Sequence, residues 1–314
     1  MESKAFFIRP YAEVCYLFSK IPSDAIELSL GGNNLGKHPL LVIKAIFDLI
    51  PNHVTSLMLT DNILDMKKND DLRGFFEVLP PSITSLNLSM NNLGRLTAKE
   101  LSHALAALPK RINKLSLGRN NLGSMSIDDF LDVLNAIPRT VTSLDLSWNN
   151  LHKINGTDWI RVFSSLQPTL HVLRLHWNYL GRNSDSIWFA LEGIIPKTMR
   201  QLDLTNNELF LGTTSDDLKT MIVSMRFVTT PVQLLLSDNG ELFKDRHLCL
   251  EGSTRSAPWN EGLSIAAHSP EQAPTHKGAH YGDGWPNRYA NRFFGTEKQL
   301  VIDEEQPKSL LTSV

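Results

Sequence analysis

The sequence predicts an α/β solenoid, an arc with short parallel strands on its concave face and helices on its convex face. Three observations predict it. The string L-x-L-x-x-N-x-L recurs, as at Leu144-Asp145-Leu146-Ser147-Trp148-Asn149-Asn150-Leu151. Successive copies start 29 residues apart for six steps and 32 apart for the last. Each regular copy is followed by apolar residues at helical spacing. A fixed period of this size marks a repeat architecture, in which each unit buries its apolar face only against its neighbours.

The elements follow in chain order. Residues 1–24 precede the repeats and are expected to cap them. Pro10 can open a helix, Tyr11, Val14, Cys15 and Phe18 share one of its faces, and Pro22 closes it. A cap is needed because the first repeat otherwise leaves an apolar edge open. Residues 25–245 form eight repeats. Their strand leucines are Leu28/Leu30, Leu57/Leu59, Leu86/Leu88, Leu115/Leu117, Leu144/Leu146, Leu173/Leu175, Leu202/Leu204 and Leu234/Leu236. Period-two alternation turns both leucines of a pair inward.

After each strand comes one asparagine: Asn33, Asn62, Asn91, Asn120, Asn149, Asn178, Asn207 and Asn239. Where the chain turns inward its backbone loses sheet partners. A buried amide side chain can both donate and accept there, so the column is expected to act as a ladder. A helix follows. Thr97 and Glu100 make a capping box ahead of Leu101, Leu105 and Leu108, and Pro109 ends that segment. Ile127, Phe130, Leu131 and Leu134 before Pro138 repeat the logic, as do Leu40, Ile43, Phe47 and Ile50 before Pro51. Strands pack ~4.8 Å apart but helices need ~10 Å, so the stack must curve with its strands inside.

The eighth copy has an extra residue before Leu242, and Pro231 stands at its entrance, as befits a terminal repeat. Residues 246–314 are expected to be an irregular cap or a partly ordered tail. Gly, Pro, Ser, Asn and His abound in 252–296, among Trp259, Tyr281, Trp285, Tyr289, Phe293 and Phe294.

Motif and period closely resemble the leucine-rich repeat family, in its long, helix-bearing, ribonuclease-inhibitor-like class. The resemblance covers about residues 25–245. It implies a non-enzymatic protein-interaction module, monomeric and without cofactor. Extracellular members usually carry cysteine-rich caps. This chain has only Cys15 and Cys249, which implies a reducing compartment. Units of the form S-L-x-L-S-x-N-N-L-G, with an acidic-then-apolar end at Asp303-Glu304-Glu305 and Leu310-Leu311, also resemble the leucine-rich repeat effectors that Legionella-type bacteria secrete by a type IV system. That implies virulence and a host protein as partner in the host cytoplasm. The alternatives are a regulator acting in its own cell, or an enzyme or adaptor with its activity in the last 65 or so residues.

Composition narrows the rest. A net charge of -2 over 314 residues gives no field suited to nucleic acid or a membrane surface. The run Ala5–Ile8 is too short for a signal-peptide core, and no apolar stretch is long enough to span a bilayer. Gly31-Gly32-Asn33-Asn34-Leu35-Gly36-Lys37-His38 fits a phosphate-binding loop, but His38 stands where a hydroxyl should hold magnesium. Asn33 and Leu35 are already repeat residues, so the match is read as an accident of the repeat. Cys249, between Leu248 and Leu250, reads as a small core residue. His268, His276 and His280 match no zinc spacing, so no metal is expected.

The concave face carries the specific signal. Positions that the repeat leaves free bring together Arg119, Asp145, Trp148, Arg174, His176, Trp177 and Asp203. Tryptophan and arginine dominate interface hot spots, so these residues are the expected partner-binding set. A second reading stays open at this point. Asp145, Arg174 and Asp203 can form an ion-pair ladder, and Trp148 can stack on Trp177 or meet the aromatic tail. Thr312-Ser313-Val314 fits a carboxy-terminal sorting signal or a PDZ-binding end.

Overall fold

A computed structural model describes residues 11–67, 70–182, 198–209, 232–236, 239, 249–251 and 299–300. The helix α1 (Tyr11–Ser19) leads into the strands β1 (Glu27–Ser29), β2 (Ser56–Met58), β3 (Ser85–Asn87), β4 (Lys114–Ser116), β5 (Ser143–Asp145), β6 (Val172–Arg174), β7 (Gln201–Asp203) and β8 (Gln233–Leu235). These eight are parallel and lie side by side in chain order. Helices α2 (Leu40–Phe47), α3 (Asp70–Glu77), α4 (Ala98–Ala106), α5 (Ile127–Ala136) and α6 (Gly156–Ser165) follow the first, second, third, fourth and fifth strands. Strands thus line one face and helices the other, the architecture expected from the repeat.

The register is that of the leucines. Leu28, Leu57, Leu86, Leu115, Leu144, Leu173, Leu202 and Leu234 pair in one row across the sheet, and all eight are buried. Behind them the helices supply Ile43, Phe47, Phe75, Phe76, Leu101, Leu105, Phe130, Leu134, Trp159 and Phe163 to a single apolar core. Thr97 and Glu100 form the reciprocal capping box read from the sequence: Thr97 Oγ1 accepts from Glu100 N, and Glu100 Oε2 accepts from Thr97 N at 2.9 Å.

The N-terminal helix and the turn after it place Val14, Phe18 and Ile21 in the core. The helix stops at Ser19 rather than at Pro22. Backbone bonds from Lys20 N to Leu17 O and from Ile21 N to Phe18 O tighten the turn and swing Ile21 inward before the proline is reached. Two further strands come from beyond the repeats. β9 (Cys249–Glu251) runs antiparallel on β8, and β10 (Gln299–Leu300) runs parallel on β1. The ten-stranded sheet therefore ends in post-repeat segments at both edges.

Candidate functional site on the strand face

The asparagine ladder sets the geometry of this face. Asn149 Oδ1 accepts from the Asn120 and Leu122 amides at 3.0 and 3.1 Å, and its Nδ2 donates to Leu117 O and Leu146 O at 2.9 and 3.0 Å. The acceptor half runs from Asn62 to Asn239, where Asn239 Oδ1 still receives the Asn207 amide across the longer last spacing. To bring each asparagine from Asn33 to Asn207 inward, the chain takes a left-handed conformation on both sides of it. Asp61, Met90, Arg119, Trp148, Trp177 and Asn206 precede the ladder residue with φ between 53° and 61°. Bulky residues rarely adopt this region. Here the ladder imposes it, and the Arg119, Trp148 and Trp177 amides still reach Ser147 O, His176 O and Thr205 O.

That shared conformation aligns three side chains. The Trp148 and Trp177 rings stack at 4.5 Å between centroids and 14° between planes. The Arg119 guanidinium lies over the Trp148 ring at 4.1 Å. All three are half-buried. The stack is thus preorganised, by offset ring contact and by attraction of the cation to the indole face.

The strand floor beside it is polar and tightly tied. Asp145 is 7 % exposed. Its carboxylate accepts from Ser116 Oγ and from the Ser147 amide, both at 2.9 Å. Asn87 Oδ1 accepts from the Ser89 amide, and Ser89 Oγ lies 2.8 Å from Ser116 Oγ. The residues between the leucines of the second to fifth strands, Met58, Asn87, Ser116 and Asp145, lie on this face and are buried within it. For the polar three, rows of side chains only ~4.8 Å apart shield one another and join by hydrogen bonds.

Arg174 pairs in register with Asp145 on one side and Asp203 on the other. Burial lowers its pKa, and both carboxylates push it back up. Beside it, His176 Nδ1 lies 3.3 Å from Asp203 Oδ2, off the line of a good hydrogen bond. Burial is the largest influence on His176 and disfavours its charged form. The Asp203 carboxylate together with Asp145 outweighs burial and holds the histidine above its ordinary value, against a smaller opposing effect of Arg174. Asp203 is pushed up by burial, but His176 and the Thr205 amide and hydroxyl bring its pKa below the ordinary range.

The seven candidate residues are therefore neighbours on β4 to β7 and their turns, as stack and strip. A further group went unread. Tyr179 stands where other repeats carry Asn34, Asn92, Asn121 and Asn150. Arg182 lies over its ring at 4.1 Å and is bonded to Glu208 at 3.0 Å, while His152 meets the ring edge-on. The signal is in the sequence: Tyr179 is the one aromatic residue in a column that reads Asn34, Ile63, Asn92, Asn121, Asn150, Tyr179, Glu208 and Gly240.

The glycine-rich loop offers no phosphate cradle. The amides of Asn33 and Leu35 donate to Asn62 Oδ1, and those of Gly32, Gly36, Lys37 and His38 donate to backbone carbonyls. Among the described residues no cluster of His, Cys, Asp or Glu is placed to hold a metal ion, and no helix is long and apolar enough to cross a membrane. Thr312, Ser313, Val314, His268, His276, His280 and the aromatic residues of 252–296 lie outside the described residues.

No protein-family model and no curated protein matches the chain. Solved structures do. The leucine-rich repeat-containing protein LegL7 from Legionella pneumophila matches with a TM-score of 0.64 and 26% identity, over 81% of this chain and 84% of that one. The tropomodulin C-terminal domain of Caenorhabditis elegans matches with a TM-score of 0.29 and 13% identity, over 44% of this chain and 83% of that one, too little to argue from. The chain is thus an α/β solenoid of leucine-rich-repeat-like architecture, similar over most of its length to a Legionella leucine-rich repeat protein.

Proposed function

We propose that this chain is a non-enzymatic recognition protein, a bacterial effector that binds a host protein on its strand face in the reducing host cytosol. The observation that carries the reading is the half-exposed stack of Arg119, Trp148 and Trp177 beside the Arg174–His176–Asp203 strip. Such residues supply much contact area, and rings already held in place lose little freedom on binding. Asp145 serves from beneath, by fixing Ser116 and Ser147. The effector part is supported by the likeness to a Legionella protein and by the acidic-then-apolar end of the sequence, Thr312-Ser313-Val314 included.

Trp148→Ala with Trp177→Ala tests the site. The double variant should lose capture of its partner from host-cell lysate while its Tm falls by no more than about 5 °C. Undiminished capture would remove these residues from the interface. Secretion has its own test, a reporter fused to the chain and expressed in type IV-competent and type IV-deficient bacteria. Equal host-cell signal from both strains would end the effector reading and leave the binding site standing.

A further inference from the structure

We propose that the outer edge of β1 is a strand-acceptor site, and that the chain's own C-terminal segment is its resident occupant through β10. The proposal is independent of the binding face described above.

A stack of parallel strands leaves its first strand with one row of unpaired backbone groups, a template for pairing with any other extended chain. The N-terminal cap does not solve this. Helix α1 covers the apolar end of the core with Val14 and Phe18, but its backbone bonds are internal to the helix. The first strand's bonds to β2 show which groups remain. Ile26 O accepts from Ser56 N, and Leu30 N donates to Met58 O at 2.8 Å. Backbone groups alternate sides along a strand. The amides and carbonyls of Glu27 and Ser29 therefore face away from β2.

Gln299–Leu300 lies on that side, in the same parallel sense as the repeats, with Gln299 beside Glu27 and Leu300 beside Leu28. It takes the place that a preceding repeat would take. A lone terminal strand on a sheet edge opens at smaller free-energy cost than the strands inside it, so the edge is exchangeable between this segment and an extended strand from elsewhere. The far edge is closed differently, by three residues running antiparallel on β8. Only at β1 does the occupant imitate a repeat.

Residue-resolved hydrogen exchange on the full chain tests this, comparing the natural protein with Gln299→Pro, Leu300→Pro. Proline removes an amide from the occupying strand and disfavours the extended pairing that brings its carbonyls to the Glu27 and Ser29 amides. Exchange at the Glu27 and Ser29 amides should accelerate by about tenfold or more, while Leu30, bonded to β2, keeps its rate. A synthetic peptide of residues 297–303 added to the variant should slow both amides again. Equal Glu27 and Ser29 rates in the two proteins would overturn the occupancy, and failure of the peptide to restore protection would overturn the acceptor site. If the double proline variant loses protection throughout the sheet, Leu300→Pro alone supplies the same comparison, judged by the same two amides. A concentration-dependent dimer of the variant with Glu27 and Ser29 protected again would identify a second copy as the replacement strand.

Discussion

At the scale of single residues, the ladder asparagines differ in worth although the repeat writes them identically. Asn149 satisfies four buried backbone groups in two repeats, the Asn120 and Leu122 amides and the Leu117 and Leu146 carbonyls. Asn33 begins the series. Its side-chain amide donates only within its own repeat, to Leu30 O and Gly31 O. An unsatisfied buried group costs about 1–3 kcal/mol. Asn149→Ala should therefore destabilise by about 3 kcal/mol or more, and Asn33→Ala by about 1 kcal/mol. Chemical denaturation of the two variants decides the matter; equal losses would mean that the ladder is not what holds neighbouring repeats together.

At the scale of elements, most of the strand–loop–helix unit was legible because each part has a local cause. Paired leucines give the strand register, and Thr97 with Glu100 gives the helix start. Sequence admits the stacking of Trp148 on Trp177 as one of two readings, since it places both on one face without saying what meets them. The left-handed backbone beneath them was not legible, because Arg119, Trp148 and Trp177 are poor candidates for it and only the ladder demands it. Nor was the pairing of His176 with Asp203. In-register neighbours join Arg174 to both aspartates, and the His176 contact is added diagonally, between the turn after β6 and the end of β7. That pair makes stability depend on pH. The folded pKa of His176 lies above its ordinary 6.5, so its contribution is complete below about that pH and is lost as pH rises through the raised value. The folded pKa of Asp203 lies below its ordinary 3.8, so its contribution is present above that pH and is lost as pH falls through the lowered value. Both describe one contact, strongest between about pH 4 and about pH 6.5. The urea midpoint should fall from about pH 6 to about pH 8.5, and His176→Gln should flatten that fall. A pH slope unchanged in the variant would show that other groups set it.

At the scale of the whole molecule, chain order and spatial order coincide: β1 to β8 lie side by side in sequence, each pairing with its immediate neighbours. Stability in such an array is close to a sum of repeat terms and nearest-neighbour interfaces. Where a lesion falls should then matter more than its size. Leu144 is buried in β5 between Leu115 and Leu173, and Leu28 is as deeply buried in the first strand. Truncating either to alanine removes the same atoms, at a cost of about 2–5 kcal/mol. Leu28→Ala weakens an end, which can fray while the remaining repeats unfold together. Leu144→Ala weakens the interface that couples the repeats before it to those after it. The expected outcome in urea is a broadened transition with a reduced m for Leu144→Ala and an m near the natural value for Leu28→Ala. Tryptophan emission supplies a second check, because Trp148, Trp159 and Trp177 all lie on the C-terminal side of Leu144. In Leu144→Ala that emission should change at a different urea concentration from the far-ultraviolet dichroism of the whole chain. Coincident curves with unchanged m would mean that the solenoid unfolds as one unit and that its repeats are coupled beyond their neighbours.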